Sequence, residues 1–210
     1  MGYYLLYESM LDTVLYARDR WLISAGSGLI LPDKASIKLA VLEDKEYRES
    51  KIDFWNNVYG LKMTTIRELA LREPLVDVCD SKQVISTTST LFDIDIYTVK
   101  AEELDFTANY QCIANQNDYV YGIVCWFDVT FSKLSKPVYM STGPHDRYTH
   151  WKSTVFYINE PQLICKNDRV TGTITTKRNQ HNHRDLDITV SMDIHGIYPY
   201  HMDPALYRLR

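Results

Sequence analysis

Between Leu186 and Ile194 apolar and polar residues alternate without a slip, with Leu186, Ile188, Val190, Met192 and Ile194 set against Asp187, Thr189, Ser191 and Asp193. This two-residue period is that of a strand with one buried face. Tyr121, Ile123, Cys125, Phe127, Val129 and Phe131 mark one face of a longer strand in the same way, and Phe92, Ile94 and Ile96 alternate with Asp93 and Asp95. Residues 36–42 read as a further strand. Several such strands joined by polar turns predict an antiparallel sandwich or barrel.

Helical spacing appears earlier in the chain. Met10, Leu11, Val14, Leu15, Ala17 and Trp21 predict a helix over 9–22, with Ser9 and Asp12 in capping-box positions and Arg18 and Arg20 near its carboxyl end. Gly26 and Gly28 then punctuate the chain before a short apolar strand, 29–31, that stops at Pro32. Residues 44–51 form a charged stretch of helical character. Residues 54–74 are mixed, with a second capping box from Thr65 to Glu68. The expected fold class is therefore mainly β: an antiparallel β-barrel or sandwich over 33–210 with a helical insertion, preceded by about 32 residues of α/β character. A βαβ opening normally continues in a sheet with further strands. Here the pattern turns directly to antiparallel β, so residues 1–32 read as the last pieces of another domain.

Composition narrows the class of protein. A length of 210 residues allows one large domain or two small ones. With 45% hydrophobic and 24% charged residues the chain sits near the globular average, which argues against a disordered tail or a fibrous repeat. The net charge of −4 argues against a dedicated nucleic-acid binder. No apolar run approaches the roughly 18 residues that cross a bilayer, so no membrane association is expected. Cys79, Cys112, Cys125 and Cys165 lie far apart with no Cys-x-x-Cys pair, and are read as reduced thiols.

Few residues announce chemistry by themselves. Glu8 stands immediately before a helix start, where exposed amides and the dipole favour an ionised carboxylate, and from its position it is either a helix cap or a functional acid. His150 and Trp151 are adjacent in a polar loop between two strand patterns, and can be satellite core residues or part of a site. His181 and His183 lack a third ligand nearby and do not make a metal site. Asp93, Asp95, Glu102, Glu103 and Asp105 form an acidic stretch, either a solvated face or a surface for a basic partner.

Longer motifs say more. Met1-Gly2-Tyr3 and Leu6-Tyr7-Glu8-Ser9-Met10-Leu11 are followed by Val14-Leu15-Tyr16-Ala17-Arg18, Leu29-Ile30-Leu31-Pro32-Asp33, Asn57-Val58-Tyr59-Gly60, Glu73-Pro74-Leu75-Val76-Asp77-Val78 and Asp95-Ile96-Tyr97-Thr98-Val99. Tyr148-Thr149-His150-Trp151-Lys152, Arg184-Asp185-Leu186-Asp187 and Tyr207-Arg208-Leu209-Arg210 complete the series. In this order, over essentially the whole chain, they resemble the carboxyl-terminal portion of the type I protein arginine methyltransferases.

The resemblance implies a function and a set of roles. These enzymes transfer methyl groups from S-adenosylmethionine to guanidino nitrogens of protein arginines, giving mono- and asymmetric dimethylarginine. Glu8 matches the second glutamate of the family's double-glutamate hairpin, and the first would fall two residues before Met1. Tyr7, His150 and Trp151 match the substrate-arginine pocket, with the Trp as its wall and the His paired to an acid from the amino-terminal region. Met10 and Thr13 match positions that approach S-adenosylmethionine. Residues 1–32 become a remnant of a Rossmann-like S-adenosylmethionine-binding domain, 33–210 a substrate-binding β-barrel, and about 55–80 a dimerisation arm. Implied partners are Arg/Gly-rich proteins, including histones and RNA-binding proteins, and a second copy of the enzyme, in the nucleus and cytoplasm. With no glycine-rich cofactor loop and no first glutamate, these 210 residues alone are expected to be inactive. The rival expectation is a non-catalytic β-barrel interaction module derived from such an enzyme.

Overall fold

A computed structural model of the chain describes residues 1–23 and 28–210. The order of elements is α1 (Met10–Trp21), β1 (Lys34–Leu42), α2 (Lys45–Tyr47), α3 (Thr64–Arg72), β2 (Leu75–Asp77), β3 (Ser89–Asp95), β4 (Phe106–Ile113), β5 (Asp118–Phe131), β6 (Val138–Ser141), β7 (Ser153–Ile164), β8 (Arg169–Arg178), β9 (Leu186–His195) and β10 (Tyr200–Leu209). The strands form two antiparallel sheets. One runs β2-β7-β5-β1-β3 with β6 added to β5, and the other runs β10-β9-β8-β4. Their inner faces enclose one large core, into which β9 sends Leu186, Ile188, Val190, Met192 and Ile194 as its alternation predicts.

The first sheet is covered on both faces, so its central strands do not alternate in burial. From Val120 to Val129 every residue of β5 is buried. Ile123, Cys125, Phe127 and Val129 enter the main core, while Val124 and Trp126 join Ala40, Leu42 and Tyr157 in a second cluster under Ile52 and Leu71. Tyr121 does not share a face with Ile123 as its spacing predicts. The β5–β7 register shifts between Val120 and Gly122, which sends Val120 to the main core and Tyr121 to the second cluster. Gly122 permits the close approach there, because a Cβ on it would lie 2.3 Å from the Phe156 carbonyl oxygen. A bulge in β3 adds Leu91 to the buried positions, while Ile94 is buried as predicted and Phe92, half-buried and stacked on Phe106, packs against the main core.

Local signals fared less well than periodicity. Neither capping box forms. Ser9 has a left-handed backbone and its hydroxyl is drawn to the His183 carbonyl, while α3 begins behind Met63, which places Thr65 inside the helix. Residues 29–31 are not a strand, since no neighbouring strand pairs with them and the Ile30 amide donates instead to the Tyr97 hydroxyl. Gly26 lies outside the described residues. The helical stretch expected over 44–51 is α2 followed by a wider turn, Arg48–Ile52.

Arginines fasten this helical excursion to the sheet. Opposite the register shift in β5, Ile158 to Pro161 of β7 have no partner strand on that side, which frees their carbonyls. Pro161 has no amide to leave unpaired, so it is tolerated there. Arg48, with 0% of its surface exposed, donates from Nη1 to the Ile158 carbonyl at 2.6 Å, from Nη2 to the Asn159 carbonyl, and from Nε to Asp53 at 3.0 Å. Arg67 also pairs with Asp53, and Arg72 donates to the Asn159 side chain at 2.8 Å. Removing Arg48 would orphan the buried Ile158 carbonyl, cost the Asn159 carbonyl one of its two arginine donors and leave a void. Arg48→Ala is expected to lower stability by about 3 kcal/mol or more, read from the urea midpoint.

Asp33 is the first residue of the β architecture after Pro32. Its amide donates to the Thr130 carbonyl at 3.1 Å, its carbonyl accepts from Ile96 at 2.9 Å, and its carboxylate accepts from both the amide and the hydroxyl of Ser132. Burial alone would raise this acid, but the Ser132 bonds and nearby Lys133 outweigh it and hold the carboxyl below its usual value. A depressed folded value means that the contribution is complete above the unfolded value of about 4 and is lost as the pH falls through the folded one. Unfolding measured at pH 5, 4 and 3 should therefore show wild type losing stability more steeply than Asp33→Asn. Parallel curves would contradict this role.

Candidate guanidinium site

Glu8, Met10 and Thr13 lie around the amino end of α1, and the loop that carries His150 and Trp151 contacts the segment ahead of this helix. Its face toward the sheets buries only Leu11 and Leu15. Two arginines complete the attachment from opposite sides. Arg18 donates outward to the carbonyls of Ile96 and Val99 at 2.8 and 2.7 Å. Arg178, at the end of β8, reaches back to Asp12 at 2.8 Å and also binds Asp105 and the Ala101 carbonyl, each at 3.1 Å. Arg18 is thus a tether rather than only a partner of the helix dipole, and Asp105 leaves the solvated acidic face to pair with Arg178. The other apolar side of α1 stays open: Met10 is 49% exposed, and Val14 and Trp21 are also exposed. The six apolar positions read as one stripe are therefore two stripes, with Met10 and Thr13 on the uncovered side.

Glu8 belongs to a short 3-10 turn, Tyr7–Ser9, ahead of α1 and does not cap the helix. Its φ is 72° and that of Ser9 is 52°, while Tyr4 and Leu5 are also left-handed. Each such non-glycine residue costs on the order of 1 kcal/mol and persists only where its surroundings enforce it. Here the enforcing contacts come from the β8–β9 loop. The Glu8 amide donates to the Arg184 carbonyl at 2.8 Å, the Ser9 hydroxyl to the His183 carbonyl, and the Arg184 guanidinium to Glu8 Oε1. Gly2 packs directly on this turn, where a Cβ would fall 1.9 Å from the Tyr7 carbonyl oxygen.

The loop before β7 supplies an aromatic flank. The Trp151 indole donates to the Met1 carbonyl at 2.7 Å and meets Phe127 edge to face at 6.1 Å. His150, exposed, lies 6.2 Å from the Tyr3 ring, which stacks on Tyr7 at 6.0 Å. Lys152 anchors the loop through Asp77 at 2.8 Å, and this bond holds the Asp77 carboxyl below its usual value. His150 and Trp151 are therefore linked to the Tyr7–Glu8 turn through Tyr3 and Met1, while Met10 and Thr13 lie on the open face of the helix that follows it. His150 has no ion-pair partner among the described residues, nor do three or more His, Cys, Asp or Glu gather there as a metal site. Sequence reasoning missed the contacts of Arg178 and Arg184, because their partners lie 166 and 176 positions away, and that of Gly2 with Tyr7, which depends on the left-handed turn between them.

A half-exposed carboxylate on an enforced turn, flanked by aromatic rings, is suited to a planar cation. A carboxylate accepts charge-assisted hydrogen bonds from a guanidinium, and rings favour its flat face. Arg184 shows that the carboxylate can hold such a group.

Comparison with known proteins identifies the family. Residues 33–196 match the family model described as the arginine methyltransferase oligomerization subdomain. Over all 210 residues the chain is 45% identical to protein arginine N-methyltransferase 1 of Chlamydomonas reinhardtii, covering 60% of that protein. Over 191 residues, 91% of this chain, it is 48% identical to the enzyme of the same name from Schizosaccharomyces pombe and covers 56% of it. Among solved structures, the enzyme–prozyme heterotetrameric complex of Trypanosoma brucei PRMT1 with AdoHcy superposes with a TM-score of 0.94 at 34% identity, over the whole of this chain and 66% of that one. The chain thus spans roughly three fifths of the length of its curated relatives. On these matches the chain belongs to the protein arginine methyltransferase family and carries its oligomerization subdomain.

Proposed function

We propose that this chain is the guanidinium-binding part of a protein arginine N-methyltransferase, and the single observation that carries the reading is the Glu8 carboxylate, held by Arg184 through one oxygen on a turn whose Tyr3 and Met1 contact His150 and Trp151. A protonated guanidinium is a poor nucleophile. Glu8 would accept hydrogen bonds from it, fix its plane and draw positive charge from the attacking nitrogen, while Trp151 and Tyr7 wall the pocket. S-adenosylmethionine would supply the electrophilic methyl group. Met10 and Thr13 offer a thioether and a hydroxyl, which is one edge of a site for that donor. Its adenine, ribose and carboxylate need partners that these positions do not provide.

The proposed substrates are arginines in basic Gly/Arg-rich segments, including those of histones and RNA-binding proteins. Self-association would use the arm, where Phe54, Leu61, Leu69 and Val78 are exposed. Trypanosoma brucei PRMT1, a structural neighbour, forms an enzyme–prozyme heterotetrameric complex, which supports an oligomeric parent enzyme.

Two outcomes test the reading. Titration calorimetry of this chain alone with S-adenosylmethionine should show no micromolar binding, and such binding would refute the incompleteness of its donor site. In a chimera where this chain replaces the aligned residues of the Chlamydomonas relative, Glu8→Gln should lower methyl transfer to an arginine peptide by about 100-fold or more. Donor affinity should stay within about twofold. Undiminished turnover would refute the role of Glu8.

A further inference from the structure

The contact between Glu8 and Arg184 is exposed, and an ordinary surface ion pair contributes little. This one differs in that side chain and backbone grip the same residue. The Arg184 carbonyl accepts the Glu8 amide at 2.8 Å while the Arg184 guanidinium holds Oε1. The loop that carries Arg184 is itself rigidly made. Asn179, 4% exposed, accepts through Oδ1 from the amides of His181 and Asn182 at 2.9 and 3.0 Å, and its Nδ2 donates to Asp187 at 2.8 Å. Asn182 in turn accepts from the Arg184 amide at 3.2 Å and donates to Asp185 at 2.8 Å. The loop therefore leads from a buried asparagine to both attachment points on Glu8. Oε2 of Glu8 has no partner among the described residues.

We propose that Arg184 is a positioning residue for Glu8: it holds one carboxylate oxygen in place from the β8–β9 loop and leaves the other to the substrate guanidinium. The inference rests on the catalytic reading of Glu8 given above. An ionised carboxylate has about four lone-pair sites, so one guanidinium at Oε1 does not fill it. A carboxylate free to rotate about its side-chain torsions would spend much of its time misaligned, and a misplacement of about 1 Å can reduce turnover up to 100-fold. The acting group is Glu8, and Arg184 works only through it.

The test uses the same chimera with Arg184→Gln, Arg184→Lys, Glu8→Gln and the double variant Glu8→Gln/Arg184→Gln. Arg184→Gln should lower kcat about tenfold or more and leave the KM of an arginine peptide within about twofold, with the melting midpoint unchanged. Arg184→Lys, which keeps the charge, should recover part of the loss, and if the Gln variant proves unstable the Lys variant carries the kinetic comparison. The double variant should be no slower than Glu8→Gln alone, because two residues acting as a unit are not additive. Wild-type kcat in Arg184→Gln would overturn the inference. So would additive losses, or a fall in KM at constant kcat, which would make Arg184 a competitor for the site. If Glu8→Gln keeps full turnover, the catalytic reading falls and takes the inference with it; if Glu8→Gln is inactive and Arg184→Gln is not, only the inference falls.

Discussion

Arg18 and Arg178 cross the seam between α1 and the β-sheets in opposite directions, and the site exists because they do. Only Leu11 and Leu15 of the helix are buried, and at roughly 1.5–3 kcal/mol for each buried side chain they would fix a twelve-residue helix loosely. Hydrogen bonds to charged groups contribute about 1.5–3 kcal/mol each, so the two guanidinium clusters match the apolar contact in strength and exceed it in directionality. Arg18 finishes the carbonyls of the 96–99 turn, and Arg178 ties Asp12, Asp105 and Ala101 together. Both ends of the helix are thereby indexed to the sheets. Glu8, one turn ahead, inherits that position.

The same device recurs on the far side of the molecule. Arg48, Arg67 and Arg72 converge on Ile158–Glu160 of β7 and attach the helical excursion to a strand interrupted by a register shift. Carbonyls without ladder partners are satisfied by guanidinium groups in each case. An arginine presents five donors in a planar fork, so one side chain can close several backbone acceptors that a sheet edge or turn leaves open.

Periodicity carried most of the fold. Strands such as β9 were legible because burial on one face writes the same two-residue period into sequence and structure. The failures fall where three-dimensional pairing overrode local preference: the shift at Val120/Gly122 turned Tyr121 to the other face, the bulge in β3 added Leu91 to the buried positions, and Ser9 left its capping role for the His183 carbonyl. In the candidate site, motifs singled out Glu8, Tyr7, His150 and Trp151, since motifs carry side-chain identity. Arg184 and Arg178 act through contacts between distant segments, which their neighbours along the chain do not specify.

Pro161 has a consequence beyond its tolerance in a central strand. Burial already specifies the register of β7, since a one-residue slip would turn its core side chains to the other face. A residue without an amide adds a second penalty wherever sliding of β7 would set its missing donor against a β5 carbonyl. In the interruption at Ile158–Pro161 the missing donor has no ladder partner to lose. Pro161 therefore acts against mispaired forms of β7, and the alignment of the arm, the central strand and the Trp151 loop at its head is selected by exclusion as well as by attraction.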